Sequence, residues 1–277
     1  MKLQKALEKA KQARQGDGDG TETQEQRVQT TRIPDGDWKP PTYSESAHVM
    51  VDPMILEQNR CVGMFPDSPE IDFYKILRTQ VEHRTKEQGW NAIMITSVQP
   101  REGKTLTAIN LALTFAKAFS QTVLLVDCDL RQQMIHHYLG IRSDKGLADY
   151  LMDDRPMKDI IIWPGIDKMT VISGGRTIKD SAELLGSPRM KAIVEEMKHR
   201  YDDRYVIFDT PPILTGADTI AFAPLVDGII VVVEEGKTSM RDVTKAMELI
   251  PHEKMLGFVL NKQRLSEKDK YLYGSGS

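Results

Sequence analysis

Cysteine is scarce. Only Cys61 and Cys128 occur in 277 residues, which rules out a disulfide framework. Cys128 stands among strand-forming residues and reads as a small buried hydrophobe. Long apolar runs are also missing. None approaches the roughly 20 residues that cross a bilayer, and the N-terminus has no apolar signal-peptide core. Together these absences give a cytoplasmic expectation. Charge of one sign is not in excess either. Lys plus Arg number 37 against 40 Asp plus Glu, a net −3 that argues against nonspecific nucleic-acid binding as the main task. The Gly-Asp-Gly-Asp-Gly run at 16–20 lacks the later bidentate Glu of a calcium loop. His136 and His137 have no metal-ligand pattern around them and read as surface histidines.

What is present begins with a short amphipathic pattern. Leu3, Ala6, Leu7 and Ala10 fall at helical spacing among lysines, so residues 1–15 read as a basic helix, solvated or docked on a partner. Residues 16–60 read as a flexible linker and lead-in, rich in Gly, Asp, Thr, Gln and Pro up to about residue 46. A single domain is expected over 61–264, and a mobile tail over 265–277 carries Tyr271 and Tyr273. A helix is expected over 68–88, capped by Ser68, with Asp72, Lys75 and Arg78 on one face as surface ion pairs or an oligomer contact.

The chain is organised around residues 97–107, Ser-Val-Gln-Pro-Arg-Glu-Gly-Lys-Thr-Leu-Thr. An apolar run, 92–95, precedes this stretch and a helical pattern, 106–119, follows it. The first N–H groups of a helix have no intrahelical partner, and a loop wrapped over them cradles phosphates. In this pattern Arg101, Glu102, Gly103, Lys104, Thr105 and Leu106 form the cradle, with Lys104 reaching the β- and γ-phosphates and Thr105 on Mg²⁺. Val98 stands where the general pattern has its first Gly.

Two further strands end in acids. Residues 121–126 run into Asp127-Cys128-Asp129-Leu130-Arg131, and 205–208 run into Asp209. In a strand, residues two apart share a side, so both first-strand carboxylates can converge on the crevice at the strand ends. Asp209 matches a Walker B acid that supports the Mg²⁺ shell. More strands at 169–172, 228–233 and 256–260, and helices at 181–201 and 239–249, complete an α/β alternation. The expected fold is a P-loop NTPase-like, doubly wound, mostly parallel sheet with helices on both faces. Asn261 closes the last strand at the crevice edge.

These motifs and the tyrosine-bearing tail resemble the bacterial tyrosine kinases, P-loop proteins that control capsule and exopolysaccharide synthesis. The basic helix and linker look most like the soluble members of exosortase-associated loci. The resemblance implies ATP and Mg²⁺ as cofactors. It implies that one of Asp127 and Asp129 helps hold Mg²⁺ while the other takes the proton of the incoming tyrosine, with a lean to Asp127 as base. Metal contacts would then be Thr105, Asp129 and Asp209, and catalysis would involve Lys104, Asp127, Asp129 and Asp209. Asn261 falls at the adenine-contacting position, and Tyr271 and Tyr273 are the implied acceptors. The implied partners are a transmembrane polysaccharide chain-length regulator, which recruits the chain to the membrane, and further copies of the chain, as in a ring through Asp72, Lys75 and Arg78.

The chain departs from the family pattern in its phosphate loop, in its helix motif and in its tail, which has two tyrosines where the family often has more. Arg101 replaces the Gly of Pro-Gly-Glu-Gly-Lys, and Lys75 replaces an Arg of Glu-x-x-Arg-x-x-Arg, a change that is not conservative at a bidentate contact. Two other readings share the loop. A partition- or division-site ATPase usually has a lysine where Gln99 stands and lacks the tyrosine tail. A non-catalytic nucleotide-binding regulator would tolerate Arg101.

Overall fold

The computed structural model describes residues 47–118 and 121–264. The helix expected at 1–15, the linker to residue 46 and the tail with Tyr271 and Tyr273 lie outside the described residues.

The described chain starts at β1 (Ala47–His48) and passes through α1 (Pro53–Gln58) into α2 (Ile71–Thr85). Strand β2 (Ala92–Ser97) feeds α3 (Lys104–Ala116), and β3 (Thr122–Asp127) feeds α4 (Ile135–Leu139) and α5 (Leu147–Asp153). Next come β4 (Ile161–Trp163), β5 (Met169–Ile172), α6 (Ala182–Leu185), α7 (Pro188–His199) and β6 (Arg204–Asp209). The described chain ends with α8 (Asp218–Phe222), β7 (Gly228–Glu234), α9 (Met240–Met247) and β8 (Met255–Asn261).

The sheet order is β1-β4-β5-β3-β6-β2-β7-β8, with every neighbour pair parallel except β4–β5. This is the doubly wound architecture expected from the sequence. Its central strands are buried on both faces and therefore read as continuous apolar runs. Alternation along each strand divides the interior into two cores. Met94, Leu124, Val206 and Phe208 face one core with Met190, Ile193 and Phe222, while Ile93, Ile95, Leu125 and Ile207 face the other with Ile109, Leu113 and Phe115. Burying both faces leaves the strand ends as the place where polar groups gather.

Several expectations need correction. The lead-in through residue 60 is structured from residue 47 onward. Asp52 caps α1 by accepting from the Met54 N–H at 2.8 Å, Pro53 occupies its first turn, and Leu56 is buried. Helix α2 starts at Ile71 rather than Ser68, because the Ser68 hydroxyl donates to Glu70 Oε2 at 2.7 Å instead of capping the helix. The single helix expected at 181–201 is two. Gly186 ends α6, and Ser187-Pro188 restarts the helix with Ser187 accepting from the Met190 N–H at 3.1 Å.

Arg78, expected in a surface ion pair or an oligomer contact, turns partly inward. Its Nη1 donates to the Thr114 carbonyl at 2.8 Å, tying α2 to the last turn of α3, whereas Asp72 and Lys75 pair at 2.8 Å on an exposed face. Arg78→Ala should therefore lower the urea midpoint by the equivalent of about 1–2 kcal/mol, the loss of a charged hydrogen bond. Lys75→Ala should leave it within about 0.5 kcal/mol. Parallel urea melts of the two variants check this.

Candidate nucleotide site

The register of three adjacent strands builds the site. Asp127 at the end of β3 lies directly opposite Asp209 at the end of β6, and Asp209 lies opposite Ile95 near the end of β2. Two residues beyond Ile95, β2 ends and the chain enters the loop at 98–103. That loop delivers Lys104 as the first residue of α3, beside the carboxylates. Three motifs far apart in sequence thus meet because β3, β6 and β2 are consecutive in the sheet.

Lys104 Nζ stands 2.9 Å from Asp129 Oδ2 and 3.3 Å from Asp209 Oδ1, with its side chain 11% exposed. The Thr105 hydroxyl donates to Asp209 Oδ2 at 2.7 Å. Burial alone would push the Lys104 ammonium down, but the Asp209 and Asp129 carboxylates outweigh it and hold it above the ordinary lysine value. Burial, followed by the Asp209 charge, raises Asp127, against the pull of Lys104. Burial also raises Asp209, against Lys104 and the Thr105 hydroxyl. Three acids around one ammonium leave excess negative charge, which suits a divalent cation. Among the described residues no three His, Cys, Asp or Glu side chains form a metal cage.

The two acids after β3 differ. Asp127 is fully buried, and its oxygens accept from the backbone N–H groups of Asp129, Met134 and Ile135 at 3.1–3.2 Å. Asp129 lines the cleft. Arg131 is anchored by Asp218 at 2.9 Å.

The cleft has a volume of about 970 Å³. Pro100, Arg101, Gly103, Lys104, Thr105 and Leu106 form its floor, and Asn261 and Lys262 form one wall. Phe73, Tyr74 and Leu77 of α2 form another, a contribution no motif announced. Glu102 departs from expectation. Its side chain is buried behind the loop, where Oε2 accepts from the Gln99 N–H at 2.8 Å and Oε1 accepts from the Thr238 hydroxyl. It shapes the loop rather than facing the cleft. Asn261 does face the cleft, and its amide donates to the Glu102 carbonyl at 2.8 Å.

Gly103 has φ +97, and a Cβ there would stand 2.1 Å from Asn261 Nδ2, so only glycine fits. Arg101 has φ +67, the left-handed region that glycine occupies without penalty. Its carbonyl accepts from Lys262 Nζ at 2.6 Å. Arg101→Gly should relieve about 1 kcal/mol of backbone strain. Melting with and without ATP checks it: the apo midpoint should rise, and a smaller ATP-induced rise would place the Arg101 side chain on phosphate.

Comparison with known proteins narrows what such a cleft is for. Residues 91–257 match the AAA domain family. Tyrosine-protein kinase YwqD of Bacillus subtilis (strain 168) is 35% identical over 220 residues, covering 79% of this chain and 92% of that protein.

The chain belongs to the bacterial tyrosine-protein kinases.

Tyrosine-protein kinase CpsD of Streptococcus agalactiae is 31% identical over 194 residues, covering 69% of this chain and 82% of its relative. The crystal structure of the chimerical protein CapA2B2 superposes with a TM-score of 0.69 at 26% identity, covering 82% of this chain and 96% of that one. Family membership favours the kinase reading over the partition-ATPase alternative. No helix among the described residues is long and apolar enough to cross a membrane.

Proposed function

We propose that this chain is an ATP- and Mg²⁺-dependent protein-tyrosine kinase that phosphorylates Tyr271 and Tyr273 in the tail of a neighbouring copy. The observation that carries the reading is the meeting of Lys104, Thr105, Asp129 and Asp209 at the ends of adjacent strands in a chain of this family.

Each residue then has a role. Gly103 and the first N–H groups of α3 receive the phosphates, and Lys104 neutralises charge on the β- and γ-phosphates. Thr105 and Asp209, whose carboxylate accepts from the Thr105 hydroxyl, are the residues that would hold Mg²⁺, which would supply charge neutralisation for the transferring phosphoryl group. The acid that meets the incoming hydroxyl is Asp129, because it faces the cleft, while Asp127 is engaged by three backbone N–H groups and holds the turn in shape. This reverses the lean toward Asp127. In the transfer the phenolic oxygen bonds to the γ-phosphorus, the bond to the β–γ bridging oxygen breaks, and ADP leaves. The phenolic proton passes to Asp129.

The biological setting is regulation of exopolysaccharide or capsule synthesis and export. In this reading a transmembrane chain-length regulator recruits the chain to the inner face of the membrane, residues 1–15 are one docking element, and copies associate through the exposed Asp72–Lys75 face. Purified protein incubated with ATP and Mg²⁺ should become phosphotyrosine-positive. Nucleotide binding without phosphotyrosine would instead favour the non-catalytic regulator, for which strained Arg101 is the motivating feature.

A further inference from the structure

Beside the nucleotide cleft lies a second, shallower cavity of about 420 Å³. Arg131, Gln132 and Met134 line both, so the two adjoin. The remaining wall includes Gln133, His136, His137, Ser143 and Thr177, with no Asp or Glu side chain in the lining. Among the described residues, the buried His136 Nδ1 and Ser143 Oγ atoms have no hydrogen-bond partner. The Gln133 amide is already committed to the Arg176 carbonyl at 3.1 Å. Asp218 and Ser181 fix the Arg131 guanidinium from one side, engaging some of its five donors. A cavity with the Asp218-held Arg131 guanidinium, two imidazoles, of which His136 is kept from protonation by burial and by its neighbour His137, and no acid in its described lining offers N–H donors to an anion. It is not the nucleotide site, whose phosphate loop lies in the larger cleft.

We propose that this cavity binds the anionic group two residues before the acceptor tyrosine, and thereby sets the order of phosphorylation in the tail. The proposal rests on the kinase reading above. Residues two apart in an extended segment lie on one side, roughly 7 Å apart, a span suited to adjoining pockets. The tail reads Asp269-Lys270-Tyr271-Leu272-Tyr273. With Tyr271 at Asp129, the group two residues earlier is the Asp269 carboxylate. With Tyr273 there, it is Tyr271, which is anionic only after phosphorylation. Tyr271 is therefore phosphorylated first, and its phosphate monoester primes Tyr273. Each transfer is the one written above, a second ATP supplying the second phosphoryl group.

Peptides spanning residues 265–277 test this with the full-length protein. Tyr273 should be phosphorylated about tenfold more efficiently when Tyr271 carries phosphate than when it does not, the worth of one charge-assisted hydrogen bond. The phosphopeptide should also bind more tightly by fluorescence anisotropy, with saturating ADP present to keep it out of the nucleotide cleft. His136→Ala/His137→Ala should erase both preferences, and Asp269→Asn should slow labelling of Tyr271. Equal binding and equal transfer with the two peptides would overturn the priming site. So would a preference that ADP abolishes, because the anion would then sit in the nucleotide cleft. Preferential binding with no transfer to either peptide would keep the cavity and remove the kinase reading instead.

Discussion

Lys104→Met abolishes phosphotyrosine formation, lowering turnover by about 10³-fold or more, the scale set by removing a charge that faces the developing transition state. The sequence alone suggests a mutant with an intact fold. The structure adds that Lys104 is the cation between Asp129 and Asp209. Removing one partner of a buried pair leaves uncompensated charge and costs about 3–5 kcal/mol where the carboxylates stay ionised. They need not stay ionised, which gives the loss a pH signature. Burial already raises Asp127 and Asp209 in the folded protein, so the folded state holds their protons more tightly than the unfolded chain. Stability from this source is greatest below the ordinary carboxylate range and is lost as pH rises through the raised values. Without the ammonium both acids rise further, so the gap in urea midpoint between parent and variant should be small at pH 5 and wider at pH 8. Adding Asp129→Asn should narrow the gap without restoring turnover. Normal turnover by folded Lys104→Met protein would sink the nucleotide assignment.

The second large effect concerns the tail. Tyr271→Phe/Tyr273→Phe should remove most of the phosphotyrosine from a protein that still turns over ATP. Mixing that protein with a Lys104→Met partner, whose tail is intact, should label only the partner. The geometry favours transfer between copies. Lys262, two residues before the described chain ends, donates to the Arg101 carbonyl and pairs with Glu234 at 3.0 Å, so it is pinned to the phosphate loop itself. In the proposed transfer between copies, a tail that leaves this close to the phosphate loop is offered to a neighbour's cleft rather than to its own. Each phosphate adds about −1.5 to −2 charges, so several at one interface should repel and loosen the assembly. An unlabelled Lys104→Met tail, in a mixture where the parent labels itself, would disprove transfer in trans. Label mapping elsewhere would remove both tyrosines as acceptors.

What the sequence made legible follows from burial. Strands β2, β3, β6 and β7 are covered on both faces, so each reads as an apolar run, and the acids ending β3 and β6 stand out against it. Strands β1 and β4 escaped because each is two or three residues long and leaves no periodicity to detect. The break at 186–188 was readable from Ser187-Pro188, a helix-start signal that the flanking apolar spacing masked. The site divides in the same way. Spacing placed Asp127 and Asp129 on one side of a strand, but the strand ends at Asp127, and the turn beyond it decides which acid faces the cleft. The inward bond of Arg78 was not legible because its acceptor, the Thr114 carbonyl, is 36 residues away. The bond between Glu102 and Thr238 spans 136 residues, and no local pattern encodes a contact of that length.

The outermost positions of the sheet have a consequence for how copies of the chain can work together. The described chain begins on one outer strand, β1, and finishes on the other, β8. With strands about 4.8 Å apart, the two lie more than about 30 Å from each other. A tether that holds the protein by its N-terminal segment therefore pulls on the margin opposite the one from which the tyrosines depart. If recruitment acts through that segment as proposed, it and the proposed tail exchange would start from opposite margins of the sheet. Anchoring then acts as a concentrator. It raises the local abundance of both cleft and acceptor without altering either, so labelling should climb steeply with the density of anchored copies rather than with the total amount of protein.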